Sequence, residues 1–146
     1  MPAVVGISLA IIVAIYARLT GFDRDRAFYP VVLVVVASYY DLFAVMGGTG
    51  ADLIAETIGF VIFAAVASVG FRTSLWIVVA GLAGHGLFDF VHRALIPNPG
   101  VPSWWPAWCA AYDVTAAACL GLLLWRGDIV RRLRRVSTAI QLSSQL

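Results

Sequence analysis

The chain has 146 residues, 62% of them hydrophobic and 12% charged, with a formal net charge of +2. Several apolar runs reach the roughly 17 to 25 residues that a bilayer crossing requires, so the composition is that of an integral membrane protein with room for one helical bundle and no separate soluble domain. Lysine is absent, which removes Schiff-base chemistry, and the lack of a glycine-rich phosphate loop or a nucleophile elbow argues against nucleotide-driven function.

Breakers and caps predict an all-α fold of five spans, at 3–20, 28–46, 51–70, 74–95 and 104–125. Residues 1–20 carry their basic residues after the apolar run, unlike a cleaved signal peptide, and are read as the first membrane helix. The break TGFDRDRAFYP follows, with Pro30 suited to the opening turn of the second helix. In GGTGAD, Thr49 and Asp52 have the spacing of a capping box for the third span, and FRTS makes a short turn before the fourth. IPNPGVPS is the longest connection; Ser103 ahead of Trp104, Trp105 and Pro106 reads as an N-cap for a helix that starts at a membrane interface.

All ten basic residues are arginine. With five spans, Arg18, Arg24, Arg26, Arg72, Arg126, Arg131, Arg132, Arg134 and Arg135 fall on one side and Arg93 on the other, so the positive-inside rule predicts an external N-terminus and a cytoplasmic C-terminus. The tail 126–146, with Ile129, Leu133, Val136 and Ile140 on one helical stripe opposite arginines, is expected to be a basic amphipathic helix on anionic lipid rather than a nucleic-acid binder. The all-arginine, alanine- and valine-rich composition points to a GC-rich bacterial source, hence an inner membrane.

This topology brings costly residues to one level. His92, Asp89 and His85 lie at roughly 6, 10 and 16 Å from the outer end of the fourth span and Asp113 about 13 Å into the fifth, at 1.5 Å per residue. Asp41 near the end of the second span and Glu56 near the start of the third share that depth and are expected to meet. Offsets of four and seven place His85, Asp89 and His92 on one helical stripe. Each charge at membrane depth costs on the order of 3 kcal/mol, so the stripe is expected to face the bundle.

Simpler roles are open to some of these residues: Asp89 and Arg93 have ion-pair spacing, Glu56 sits in the field of a helix N-terminus, and a buried histidine is commonly a hydrogen-bonded structural partner. Aromatic residues flank the layer, and Tyr40, Phe43, Phe88, Trp105, Trp108 and Tyr112 are the candidate lining of a substrate pocket. Cys109 and Cys119, ten apart on one span, are too distant to bridge and read as packed thiols.

A carboxyl group in an apolar setting tends to keep its proton and to donate it, while aromatic faces stabilise positive charge. That pairing suits isomerisation or cyclisation of an isoprenoid-like lipophilic substrate, without a cofactor. Asp89 and Asp113 are the candidate proton donors, His85 and His92 the bases or orienting groups, and Glu56 and Asp41 their partners. The plan is similar to that of small membrane sterol isomerases and membrane-bound terpene cyclases, a likeness of design that carries no residue across.

Two other classes remain open. His85, Asp89, His92 and Glu56 supply ligand types for iron, manganese or zinc, although the Asp-x-x-His pair of carboxylate-bridged bundles occurs here once rather than twice. The layer also suits a non-catalytic subunit that binds an ion or a lipid. A faint inverted echo, Tyr29-Pro30 and Tyr40-Asp41 against Trp105-Pro106 and Tyr112-Asp113, fits that class weakly.

Overall fold

Punctuation in the sequence becomes helix ends in the structure, a computed structural model that describes residues 1–127. The helices are α1 (Pro2–Thr20), α2 (Phe28–Gly47), α3 (Gly50–Arg72), α4 (Leu75–Leu95) and α5 (Trp105–Trp125), with a short 3-10 turn at Phe22–Arg24. Each lies within a residue or two of its predicted span. At 19 to 23 residues they are long enough, and apolar enough, to cross a membrane. The described residues contain no strand. The predicted amphipathic tail lies almost wholly outside the described residues.

The local causes are mostly the expected ones. Gly21 ends α1 in a left-handed conformation at φ 88°, which glycine adopts without steric cost. Pro30 sits in the first turn of α2. The capping box at α3 is present: Thr49 N donates to Asp52 Oδ2 at 2.8 Å and Asp52 N to Thr49 Oγ1 at 3.2 Å. The far end of α3 is held by Arg26, which donates to the carbonyls of Phe71 and Thr73 and so places a cation at a helix C-terminus. At α5 the expectation fails: the N-cap is Trp104 rather than Ser103 and makes no side-chain capping bond. Pro106 has no N–H to satisfy there, which lowers the demand for a cap.

Short connections force the helices to alternate in direction. The α2–α3 and α4–α5 connections meet at one end, where a Cβ on Gly47 would press against the Gly100 backbone and one on Gly100 would run into the Phe43 carbonyl. Met1 joins that end, sharing a cleft with Trp104, Trp105 and Trp108. At the opposite end Arg18 donates to the buried Asp23 at 3.0 Å, closing the α1–α2 connection.

The most extensive packing is α4 on α5, α1 on α5 and α2 on α3; α3 also packs on α4, while α2 touches α4 and α5 more lightly. Glycine permits the closest approaches. A side chain on Gly6 would enter the Trp108 carbonyl, and one on Gly86 would stand 3.1 Å from the Ala110 carbonyl oxygen; small residues let membrane helices gain dispersion contacts in this way. Leu33, Val78, Leu82 and Leu120 are completely buried and fill the centre. Of the five spans, α4 has the lowest mean hydropathy, 1.4 against 1.6 to 2.1 for the others, because it carries the polar stripe.

Candidate functional site

The stripe on α4 does face the bundle. His85, Asp89 and His92 are each no more than 1% exposed, as is Asp113 on α5, and Glu56 on α3 is 2% exposed. They form two clusters about a helical turn or two apart.

The inner cluster joins α2, α4 and α5. His85 Nδ1 lies 2.6 Å from Asp113 Oδ2 and 3.9 Å from Asp89 Oδ2. Tyr40 donates its hydroxyl to Asp89 Oδ1 at 2.5 Å. Cys109 approaches Asp113 Oδ2 with its sulfur at 3.7 Å. Spacing explains the convergence, since His85 and Asp89 are one turn apart on α4, Cys109 and Asp113 one turn apart on α5, and Gly86 lets the two helices come close. Asp89 Oδ2 and Asp113 Oδ1 are buried without a hydrogen-bond partner.

The outer cluster is a clamp. His92 Nε2 faces both oxygens of Glu56, at 2.9 and 3.1 Å, and Asn98 Nδ2 donates to Glu56 Oε1 at 2.9 Å. Asn98 Oδ1 in turn accepts from Gly100 N at 3.0 Å, tying the α4–α5 connection to α3 and α4. Asn98 was not singled out in the sequence. The signal was there, a polar residue between two prolines in IPNPGVPS, but only the fold shows that this loop is tucked inward, with Asn98 and Val101 buried. Tyr40 links the clusters by stacking on the His92 ring, centroids 4.0 Å apart.

Asp41 does not join them. Its Oδ1 accepts from Thr57 Oγ1 at 2.6 Å on the more exposed side of α2 and α3. The expected meeting of Asp41 with Glu56 fails because consecutive helical residues point about 100° apart. Tyr40 takes the inward direction on α2 and Glu56 on α3, leaving Asp41 and Thr57 to pair with each other. The ion-pair spacing of Asp89 and Arg93 is likewise not used as such, since Asp89 turns inward to Tyr40 and Arg93 is exposed.

The six candidate lining aromatics divide. Tyr40 and Phe88 touch the clusters, Phe88 edge-on to Tyr40 at 6.1 Å and to His92 at 5.4 Å. Phe43, Trp105, Trp108 and Tyr112 instead form a stack of their own, with successive centroids at 4.8, 4.7 and 5.8 Å. The i, i+3, i+7 spacing of Trp105, Trp108 and Tyr112 on α5, with Phe43 joining from α2, produces a column, not a pocket wall around Asp89. Phe63 on α3, not anticipated, packs edge-on to His85 at 4.7 Å. An open cleft of about 360 Å³ lies at the opposite end of the bundle, lined by Arg18, Asp23, Tyr29, Cys119 and Arg126 among others.

The metal set expected from sequence, His85, Asp89, His92 and Glu56, is divided between the two clusters. His85 and Asp89 are grouped with Cys109 and Asp113, whereas His92 and Glu56 bind each other. Cys109 is a buried free thiol, as expected, and it packs within this group.

Among the described residues, fold and site together define an all-α bundle of five helices long and apolar enough to cross a membrane, with a buried His/Asp/Asp/Cys/Tyr cluster. Compared with protein-family models, with curated proteins and with solved structures, the chain finds no match.

Proposed function

We propose that this chain is a membrane enzyme that performs acid/base catalysis, an isomerisation or cyclisation, on a lipophilic, isoprenoid-like substrate. One observation carries the reading: Asp89 and Asp113, from different helices, meet at His85 in an apolar interior while Asp89 Oδ2 and Asp113 Oδ1 have no hydrogen-bond partner. A purely structural network tends to satisfy such oxygens, because an unmatched buried polar group costs about 1–3 kcal/mol.

In this reading the Tyr40–Asp89 pair delivers a proton to the substrate and the His85–Asp113 pair removes one, a division that needs two coupled groups on either side of one reacting carbon skeleton. His92 and Glu56 are positioning residues, acting through the ring of Tyr40. Phe63 and Phe88 are half-buried, each with one edge on an imidazole of the clusters, and they offer a substrate arriving from the bilayer an aromatic route between α3 and α4. In this reading substrate admission requires these rings to turn aside.

The arginines supply the orientation. Arg18, Arg26, Arg72 and Arg126 gather at the end of the bundle away from the clusters, which by the positive-inside rule supports a cytoplasmic location for that end and, in this reading, the outer half of a bacterial inner membrane for the clusters.

The test is solvent isotope incorporation. Protein reconstituted in vesicles of bacterial lipid is incubated in heavy water with polyisoprenoid alcohols, sterols or carotenes, and the recovered lipids are analysed by mass spectrometry. Acid/base chemistry at carbon leaves deuterium on carbon in a product or in recovered substrate. If none of the three classes acquires carbon-bound deuterium above protein-free vesicles, the proposed reaction is wrong.

A further inference from the structure

We infer that the inner cluster is a divalent transition-metal site, with zinc as its ion, held by His85, Asp89, Cys109 and Asp113. One donor atom from each of these residues lies within 4.8 Å of the other three, and all four residues are buried. Around an ion with bonds of about 2.0–2.3 Å, tetrahedral donors stand roughly 3.3–3.8 Å apart. Small side-chain rotations therefore suffice to close the set.

Three features separate this cluster from a chance gathering of polar groups. The first is its construction: His85 and Asp89 form an i, i+4 pair on α4, Cys109 and Asp113 an i, i+4 pair on α5, and the two pairs face each other where Gly86 brings the helices together. Two facing i, i+4 pairs give four ligands from two rigid elements. The second is the pair of oxygens without a hydrogen bond. Asp89 Oδ1 accepts from Tyr40, which turns Oδ2 toward His85, and Asp113 Oδ1 is also unpartnered; both aspartates are no more than 1% exposed. The third is charge. The ion pairs of the two aspartates among the described residues are both with His85, so one imidazole faces two carboxylates in an apolar interior, an imbalance that a divalent cation offsets. Ligand type selects the ion, since imidazole and thiolate favour zinc over the harder magnesium or calcium.

Tyr40 would hold Asp89 in its ligating orientation, as hydrogen-bonded neighbours of metal ligands do. Catalytic use of the ion would require Asp89 to leave it, opening a position for a substrate oxygen while the Tyr40–Asp89 pair carries the proton; that use rests on the reaction-centre reading above. The site itself rests on donor geometry, so metal content and isotope incorporation can fail separately.

The experiment uses full-length protein purified in detergent without a polyhistidine tag. Elemental analysis is expected to find about one zinc per chain. Cys109→Ala and Asp113→Asn are expected to lose it, while Cys119→Ser, on the same helix but outside the cluster, retains it. Should the first two variants not fold, stripped wild-type protein titrated with cobalt(II) decides the matter, because a tetrahedral site with one thiolate shows a sulfur-to-cobalt charge-transfer band together with visible absorption. Stripped wild-type protein that takes up neither zinc nor cobalt overturns the proposal, as does stoichiometric metal that persists in folded Cys109→Ala and Asp113→Asn. Loss of metal from wild-type protein with undiminished isotope incorporation would overturn only the catalytic use of the ion.

Discussion

The two buried clusters share α4 and are joined by the ring of Tyr40, yet they are built on opposite terms. In the outer one both oxygens of Glu56 are matched, by His92 and Asn98, and the network reaches the backbone of Gly100; the atom it leaves unpaired is His92 Nδ1. In the inner one each aspartate keeps an oxygen without a hydrogen bond. A matched buried network rigidifies a fold, whereas an unmatched one stores capacity for a ligand, a proton or an ion. On the proposed reading the outer cluster holds α3, α4 and the α4–α5 connection together, and the inner one carries the chemistry.

Substitutions should separate the two. Asp89→Asn and Asp113→Asn are expected to lower isotope incorporation by on the order of 10² to 10⁴, the usual worth of a positioned acid or base, with a thermal melting point in detergent close to that of metal-stripped wild type. A melting point that collapses while incorporation per folded molecule is kept would reverse the assignment. Glu56→Ala is expected to do the converse. It strands His92 and Asn98 and should cost on the order of 3 kcal/mol, read as a lowered melting point, with incorporation per folded molecule reduced less than about tenfold.

Asn98→Ala sharpens the same contrast at smaller scale. It removes one bond to Glu56 and the one that shapes the turn at Gly100, with an expected loss of about 1–3 kcal/mol. Proteolysis should then be faster within residues 96–104, and unchanged cleavage there would show that the loop is held by its apolar residues instead. Smallest of all is Thr57→Val. Asp41 loses its hydrogen bond on the partly exposed side of α2, so the effect should be under about 1 kcal/mol and isotope incorporation unchanged. A marked fall in incorporation would bring Asp41 back into the reaction centre.

The column formed by Phe43, Trp105, Trp108 and Tyr112 shows where reading by spacing stops. Their period on α5 was legible, but period alone does not say whether a stripe lines a space or fills one. Here Gly6 lets α1 lie directly on the Trp108 carbonyl, and the rings stack on one another, Trp105 and Trp108 facing the cleft beside Met1 rather than Asp89. Asp41 failed for a related reason: depth along a helix can be counted from its end, but the direction of a side chain depends on which neighbour the helix presses against.

What the sequence determined by itself is whatever depends on the local chain and on the solvent. Five apolar runs of spanning length, the Thr49–Asp52 capping box, the turn at Gly21 and the inward stripe of His85, Asp89 and His92 all follow from hydrogen-bonding needs and from the cost of exposing polar groups to lipid. Only the tertiary structure decided the partners. Glu56 went to His92 rather than Asp41, Asn98 turned inward from a loop, and Cys109 came to face Asp89 and Asp113. Those pairings are set by the rotation and closeness of helices far apart in the chain, which glycines at Gly6, Gly86 and Gly100 permit and which no single helix encodes.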